Sequence, residues 1–242
     1  MTRRLWSALC LLLLGLACPL EGCAGTETGN PKPPQLELRL TAYSSDFGRV
    51  SVGQAGGGLE VDHVIVKLER VELLPCSGSA KGVELSVGEL DLAQRPPRLL
   101  LAESEETDFC AARVLFARGA GEVAPELAGR SALVQGVRAD GVSFQIASEQ
   151  VLTVDLAANP PTTPFGSRRL LLGFDLAKWL NGVGVETAAA ENGAVTIDPT
   201  LEPDALAVFD AQAKSAMALF DDADGNGQLA SDNQPPAASA GP

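Results

Sequence analysis

Histidine is nearly missing from this chain: its 242 residues hold one, His63, beside one tyrosine and two tryptophans. With no second His or Cys at ligand spacing, His63 reads as a partly exposed strand residue rather than a metal ligand or general base. Also lacking are a GxSxG elbow, an HExxH pair, a phosphate-binding P-loop, a CxxC pair and a Ser-x-x-Lys nucleophile. Basic charge is scarce, with 18 Lys+Arg against 31 Asp+Glu and a formal net charge of -13. Such a surface repels phosphate backbones, and no basic patch interleaved with aromatics offsets it, so nucleic acid is not an expected partner. Long apolar runs are equally scarce. The one present, from Leu5 to about Leu20, is short for a ~30 Å hydrocarbon core and has no second span after it.

What is there begins with that run. Arg3 and Arg4, the apolar stretch and the small residues behind it have the layout of an export signal. Two cysteines stand at its end, Cys18 and Cys23, and the surroundings of both approach the bacterial lipobox. Cys23 has Leu20 and Gly22 in the favoured places, whereas Cys18 has Ala17 but Gly15 where an aliphatic residue is preferred. Cysteine arithmetic favours Cys23. Its acylation leaves two thiols in the exported chain, Cys76 and Cys110, which an oxidising compartment would join as one disulfide, whereas acylation of Cys18 leaves an odd thiol. A bridge closing about 34 residues is worth roughly 3 to 4 kcal/mol by loop entropy. Multiple acyl tails on Cys23, at ~0.8 kcal/mol per buried methylene, would make membrane attachment effectively permanent. Ala24 behind it implies the outer membrane of a Gram-negative envelope.

Residues 24 to 35, AGTETGNPKPPQ, form a polar, proline-bearing tether. Period-two patterning then starts: Leu36, Leu38, Leu40 and Ala42 share a face, as do Val64, Val66 and Leu68. Val71 and Leu73 have the opposite parity, so a β-bulge is expected across Glu69 and Arg70. Further short stretches read as strands at 82–87, 89–93, 99–102, 109–117, 152–156 and 194–199, with a hairpin in which Asp140-Gly141 supplies the positive backbone torsions of a tight turn. RRLLLGFDLAKWLNG turns from strand to a short helix capped by Asp175 and stopped by Gly182. Trp179, beside Leu176 and Leu180, is expected to pack in the core rather than form a sugar platform with Tyr43. From Asp204 the period becomes 3.6, with Leu206, Phe209, Ala213, Met217 and Phe220 along one helical stripe.

The expected fold is therefore mainly β, an antiparallel β-sandwich or open barrel with one short helix and a C-terminal amphipathic helix. Its parts are a leader over 1–22, lipidated Cys23 with a tether through 35, and a β-sandwich domain over 36–200. A helix with an EF-hand-like loop follows over 201–233, and a disordered tail over 234–242.

CAGTETGNP (23–31), VIVKLERVELLPC (64–76), TDFCAARVLFA (107–117) and LLLGFDLAKWL (170–180) together resemble a family of uncharacterised Gram-negative lipoproteins with a GTETGNP-type tether and a β domain of unknown function. The resemblance implies export, lipidation and a β-sandwich. It carries no catalytic residues to this chain.

The sharpest local motif is DADGNGQLASDN, 222–233, which resembles an EF-hand loop. Asp222, Asp224 and Asn226 take the first, third and fifth ligand places, Gly227 the bend, and Gln228 the backbone-carbonyl place. Asn233 replaces the bidentate Glu, Asp232 falls one step early, and Pro235 and Pro236 deny an exiting helix. Ca²⁺ bound by Asp222, Asp224, Asn226, Gln228 and Asp232 would be weak, ~10⁻⁴ to 10⁻³ M, and structural in its effect. The function expected from all this is a lipid-anchored, non-catalytic envelope module, calcium-stabilised, that binds an envelope protein or glycan. The alternative is a carboxylate-dependent glycan hydrolase, which needs only a pair among the many acids.

Overall fold

The computed structural model describes residues 34–53, 58–76, 82–105, 108–158, 168–229 and 234–240. The expected leader, Cys23 and nearly all of the tether lie outside the described residues, as does Asp232.

Strands β1 (Gln35–Tyr43), β2 (Val50–Val52), β3 (Leu59–Pro75), β4 (Val83–Asp91), β5 (Arg98–Glu103) and β6 (Phe109–Phe116) precede a single 3-10 turn at Pro125–Leu127. Then come β7 (Ala132–Arg138), β8 (Ser143–Ser148), β9 (Thr153–Ala158), β10 (Arg169–Asp175) and helix α1 (Leu176–Trp179). Strand β11 (Ala194–Ile197), helix α2 (Pro203–Ser215), β12 (Met217–Asp221) and β13 (Ala238–Ser239) complete the described elements.

The organiser is β3. Its Ile65 and Val66 pair with β7 on one side and β4 on the other, and its Leu68 to Leu73 stretch pairs with β6 and again with β4. Strands β7 and β6 therefore share one edge of β3 end to end, and the sheet forks there. One branch runs β7-β8-β11, the other β6-β9-β13-β12-β10-β1-β5. The expected bulge is present: the register with β6 shifts between Leu68 and Arg70, leaving Glu69 extra. Val64, Val66 and Leu68 before it, and Val71 and Leu73 after it, are all fully buried. The strand that reads as two stretches, 82–87 and 89–93, is one strand whose facing also switches. Val83 and Leu85 are buried before Gly88, and Leu90 and Leu92 after it. Gly88 stands opposite Leu68 at φ 97°, a torsion that L side chains rarely adopt, so both strands change face together without losing their mutual register.

The longer branch curls until the Phe116 ring on β6 meets Phe174 on β10 edge-on at 6.4 Å. At its far end the Ala42 N–H donates to the Leu92 carbonyl at 2.9 Å, bringing β1 back to the end of β4. One continuous curled sheet around one core makes the open barrel, of the two arrangements expected, the better description. Pairing is not uniformly antiparallel: β1–β10, β8–β11 and β2–β3 are parallel. Trp179 closes the core as expected. It stacks on Phe209 of α2 at 4.9 Å and on Phe174 at 6.0 Å, linking both helices to the sheet. Asp175 caps α1 by accepting from the Ala177 N–H at 3.2 Å.

Three expectations need correction. The helical stripe ends at Ala213; Met217 and Phe220 belong to β12, which pairs with β10, because a short apolar run fits strand and helix alike and here both faces are covered. The tail expected to be disordered supplies β13, which joins β12 to β9, so sheet strands extend well past residue 200. Small residues suit that slot, and Ala238 is fully buried. In the hairpin, Gly141 alone has positive φ: the Gly141 N–H bonds the Arg138 carbonyl at 2.8 Å, a type I turn closed by a left-handed residue.

Placing a charge at the join should separate the two flanking strands. Ala238→Asp is expected to cost about 3 kcal/mol, because it buries an unpaired carboxylate; urea unfolding of the variant beside the parent measures it.

Candidate functional site

The described part of the C-terminal loop, 222–229, is curled by its own short polar side chains. Asp222 is buried, and both its oxygens accept from the Gly227 N–H at 3.2 Å. Asp224 Oδ1 accepts from the Asn226 N–H at 3.2 Å, and Asn226 Oδ1 from the Gln228 N–H at 2.7 Å, which curls the chain. The structure thus brings Asp222, Asp224, Asn226 and Gln228 together on one loop. It also places a cation there that spacing could not foretell: Arg39 of β1 donates from Nη1 to Asp222 Oδ2 at 2.9 Å. The Asn226 amide moreover donates to Asp224 Oδ2 at 2.6 Å, so the second carboxylate is engaged inside the loop. No cluster of three or more His, Cys, Asp or Glu suited to a metal occurs among the described residues.

The other buried acids are likewise committed to the backbone. Asp91 accepts from the Val64 and Ala93 N–H groups at 3.0 Å each and lies 2.7 Å from His63 Nδ1. His63 itself is a half-exposed strand residue, as expected. Asp175 accepts from Ser45 as well as Ala177, while its Oδ2 has no hydrogen-bond partner and lies 3.7 Å from Lys178 Nζ. Burial first, and then the charge of Asp175, push the neighbouring Tyr43 phenol well above its ordinary range. Glu89 of β4 accepts from the backbone N–H groups of Ala120, Gly121 at 2.9 Å and Val123 at 2.8 Å. Desolvation pulls its pKa upward, but these donors outweigh it and hold the carboxyl below its usual value.

The expected disulfide is formed. Cys76 and Cys110 are bonded, with Cα atoms 4.8 Å apart, where the end of β3 meets the start of β6.

Concave space gathers along β4 and β5, the consecutive strands joined through residues 92–97. Among the described residues, β4 pairs only with β3 and β5 only with β1. The barrel is therefore open along a seam between these two edges. A cavity of about 830 Å³ lies at its wide end, lined by Val83 and Glu84 of β4 and by Leu101, Glu103, Ser104 and Glu105. Another of about 510 Å³ lies at its narrow end, between Glu89 and Asp91 on one side and Pro96 to Leu99 on the other. Leu99 and Leu101 are 40% and 56% exposed on β5. The run of three leucines at 99–101 holds the signal for this: consecutive strand residues alternate faces, so a barrel strand with one apolar side must turn some of them outward. Glu89 and Asp91 carried no comparable local pattern.

Because the Glu89 pKa is depressed on folding, its contribution is present above the ordinary carboxyl value and fades as pH falls through the folded one. Glu89→Gln is expected to lower stability at neutral pH, with a deficit that shrinks toward about pH 3; denaturant melts of both proteins across that range check the sign. No family model and no curated protein matches the chain. Among solved structures the chain is similar to MbnP from Methylosinus trichosporium, at 13% identity over 87% of this chain and 99% of that one, with a TM-score of 0.45.

Proposed function

We propose that this chain is a lipid-anchored accessory protein of the cell envelope, a non-catalytic β module held at the outer membrane through Cys23. The observation that carries the reading is the Cys76–Cys110 disulfide. It uses the two thiols that remain if Cys23 takes the lipid, and such bonds persist in oxidising compartments. Burial and backbone bonding of Asp91, Asp175 and Asp222 support a structural use of these acids rather than acid–base chemistry. The first described strand begins at Gln35, the last residue of the proposed tether, so the β module would stand a short polar spacer away from the bilayer.

Weak calcium binding at the C-terminal loop is a second element of the proposal, favoured by the turns in which Asp222, Asp224 and Asn226 each accept from a backbone N–H further along the same loop. Gln228 and Asp232 would complete the oxygen set, and Arg39 would compete with the ion for Asp222.

Intact mass with metabolic acyl labelling tests the anchor: label is expected in the parent and in Cys18→Ala, and lost in Cys23→Ala. Retention of label in Cys23→Ala would reject the assignment. For the loop, Arg39→Met is expected to cost about 3 kcal/mol by stranding the Asp222 charge, and millimolar Ca²⁺ to restore part of that loss. A melt of Arg39→Met that ignores Ca²⁺ leaves the loop to Arg39 alone.

A further inference from the structure

An apolar row crosses the outer face of the sheet. Ile65 of β3, Leu133 of β7 and Ala147 of β8 stand in register, and because their chain neighbours Val64, Val134 and Ile146 face the core, these three point outward. They are nevertheless buried, because Leu127, with Ala124 beside it, sits on them from the loop 117–131. That loop leaves and rejoins the sheet at one residue. The Ala117 N–H donates to the Lys67 carbonyl at 3.0 Å, and the Lys67 N–H to the Ser131 carbonyl at 2.9 Å. Inside, the loop is closed on itself: the Gly119 N–H bonds the Arg130 carbonyl at 2.7 Å, and the Gly129 N–H the Gly119 carbonyl at 2.9 Å. Its hold on the barrel is narrow. Among the described residues, the hydrogen bonds that run from 119–130 to the barrel end on one side chain, Glu89, which accepts from Ala120, Gly121 and Val123. Arg118 adds a pair with Glu149 at 3.5 Å, with both side chains exposed.

We infer that loop 117–131 is a lid, latched by Glu89 and hinged at Lys67, that lifts as one body while the barrel stays intact. Its two anchors, Glu89 and Leu127, converge on Gly119, where a Cβ would come within 2.8 Å of Glu89 Oε1 and 2.9 Å of Leu127 Cγ. The row beneath belongs to a small cluster separate from the main core, so uncovering it leaves the packing of the core in place. Lifting also opens a cavity. Val123 of the lid and Glu89 both line the narrow-end space of about 510 Å³, so the closed lid supplies part of its wall. Asp91, another lining residue, is the direct neighbour of Ile65 across β3 and β4, so the apolar row runs up to the edge of that space. With the lid raised, the cavity and the row form one surface.

The test is thiol labelling of the full chain, with the labelled site located by peptide mass. Ala147→Cys places a thiol under the lid, and Val134→Cys places one in the core on the neighbouring strand. The first is expected to react at least about a hundredfold faster than the second, because it waits on local opening and not on global unfolding. Adding Glu89→Ala should speed labelling at position 147 by about tenfold or more and leave position 134 as it was. Glu89→Gln, which keeps one acceptor oxygen, should fall between parent and Glu89→Ala. Amide exchange at Gly119 and Gly129, whose bonds stay within the loop, should not change in either variant. Equal labelling at the two positions, labelling at 147 that ignores Glu89→Ala, or acceleration of both sites together would each overturn the proposal. So would loss of protection at Gly119 and Gly129, which would mean that the loop melts and does not lift.

Discussion

One long strand that reverses its facing twice, at Asp62 and again at Glu69, holds this architecture together. β3 cannot keep its apolar residues inward along its whole length with a strict period of two, because the sheet it organises forks. The extra residue at Glu69 moves Val71 and Leu73 back to the core, and Gly88 makes the same adjustment on β4. Without both, β3 and β4 would turn their polar sides to the interior beyond the bulge. Since single-residue slips exchange every side chain between core and solvent, the shift at Glu69 fixes the register of the β6 branch and the one at Asp62 that of the β7 branch.

Around that strand the protein uses acids as architecture. Asp91 ties β4 to the Val64 amide of β3, Glu89 gathers the backbone of a loop, Asp175 caps α1 and reaches Ser45, and Asp222 shapes a turn while neutralising Arg39. A carboxylate that accepts several backbone amides is held in one place, which suits a scaffold. The strongly acid composition therefore divides into two populations. A few buried acids order loops, and the solvated remainder gives the surface, the seam included, its sign.

Much of this was legible in the chain itself. Parity of Leu, Val and Ile residues marked β1, β3 and the bulge, and Asp175 announced the helix it caps, because those signals are local and repeat over several residues. The two cysteines that lie beyond the expected leader and Cys23 sufficed to pair Cys76 with Cys110. Illegible were the partnerships that join distant segments: Arg39 with Asp222, His63 with Asp91, and β13 between β9 and β12. No local period encodes such contacts. The Met217–Phe220 segment was misread for a related reason, since a fully covered strand has no polar face to reveal its period.

The position of β13 bears on how the molecule is made. Ala238 and Ser239 follow every other sheet strand in chain order, yet they sit inside the sheet, with neighbours on both sides. Pairing of β9 through β13 to β12 must wait until all preceding strands have been made, whereas the β3–β6 ladder and the disulfide at its end involve only earlier residues. A chain threaded through a membrane from its N-terminus would thus acquire its covalent clasp first and its full circumference last, staying pliable for the whole of its passage.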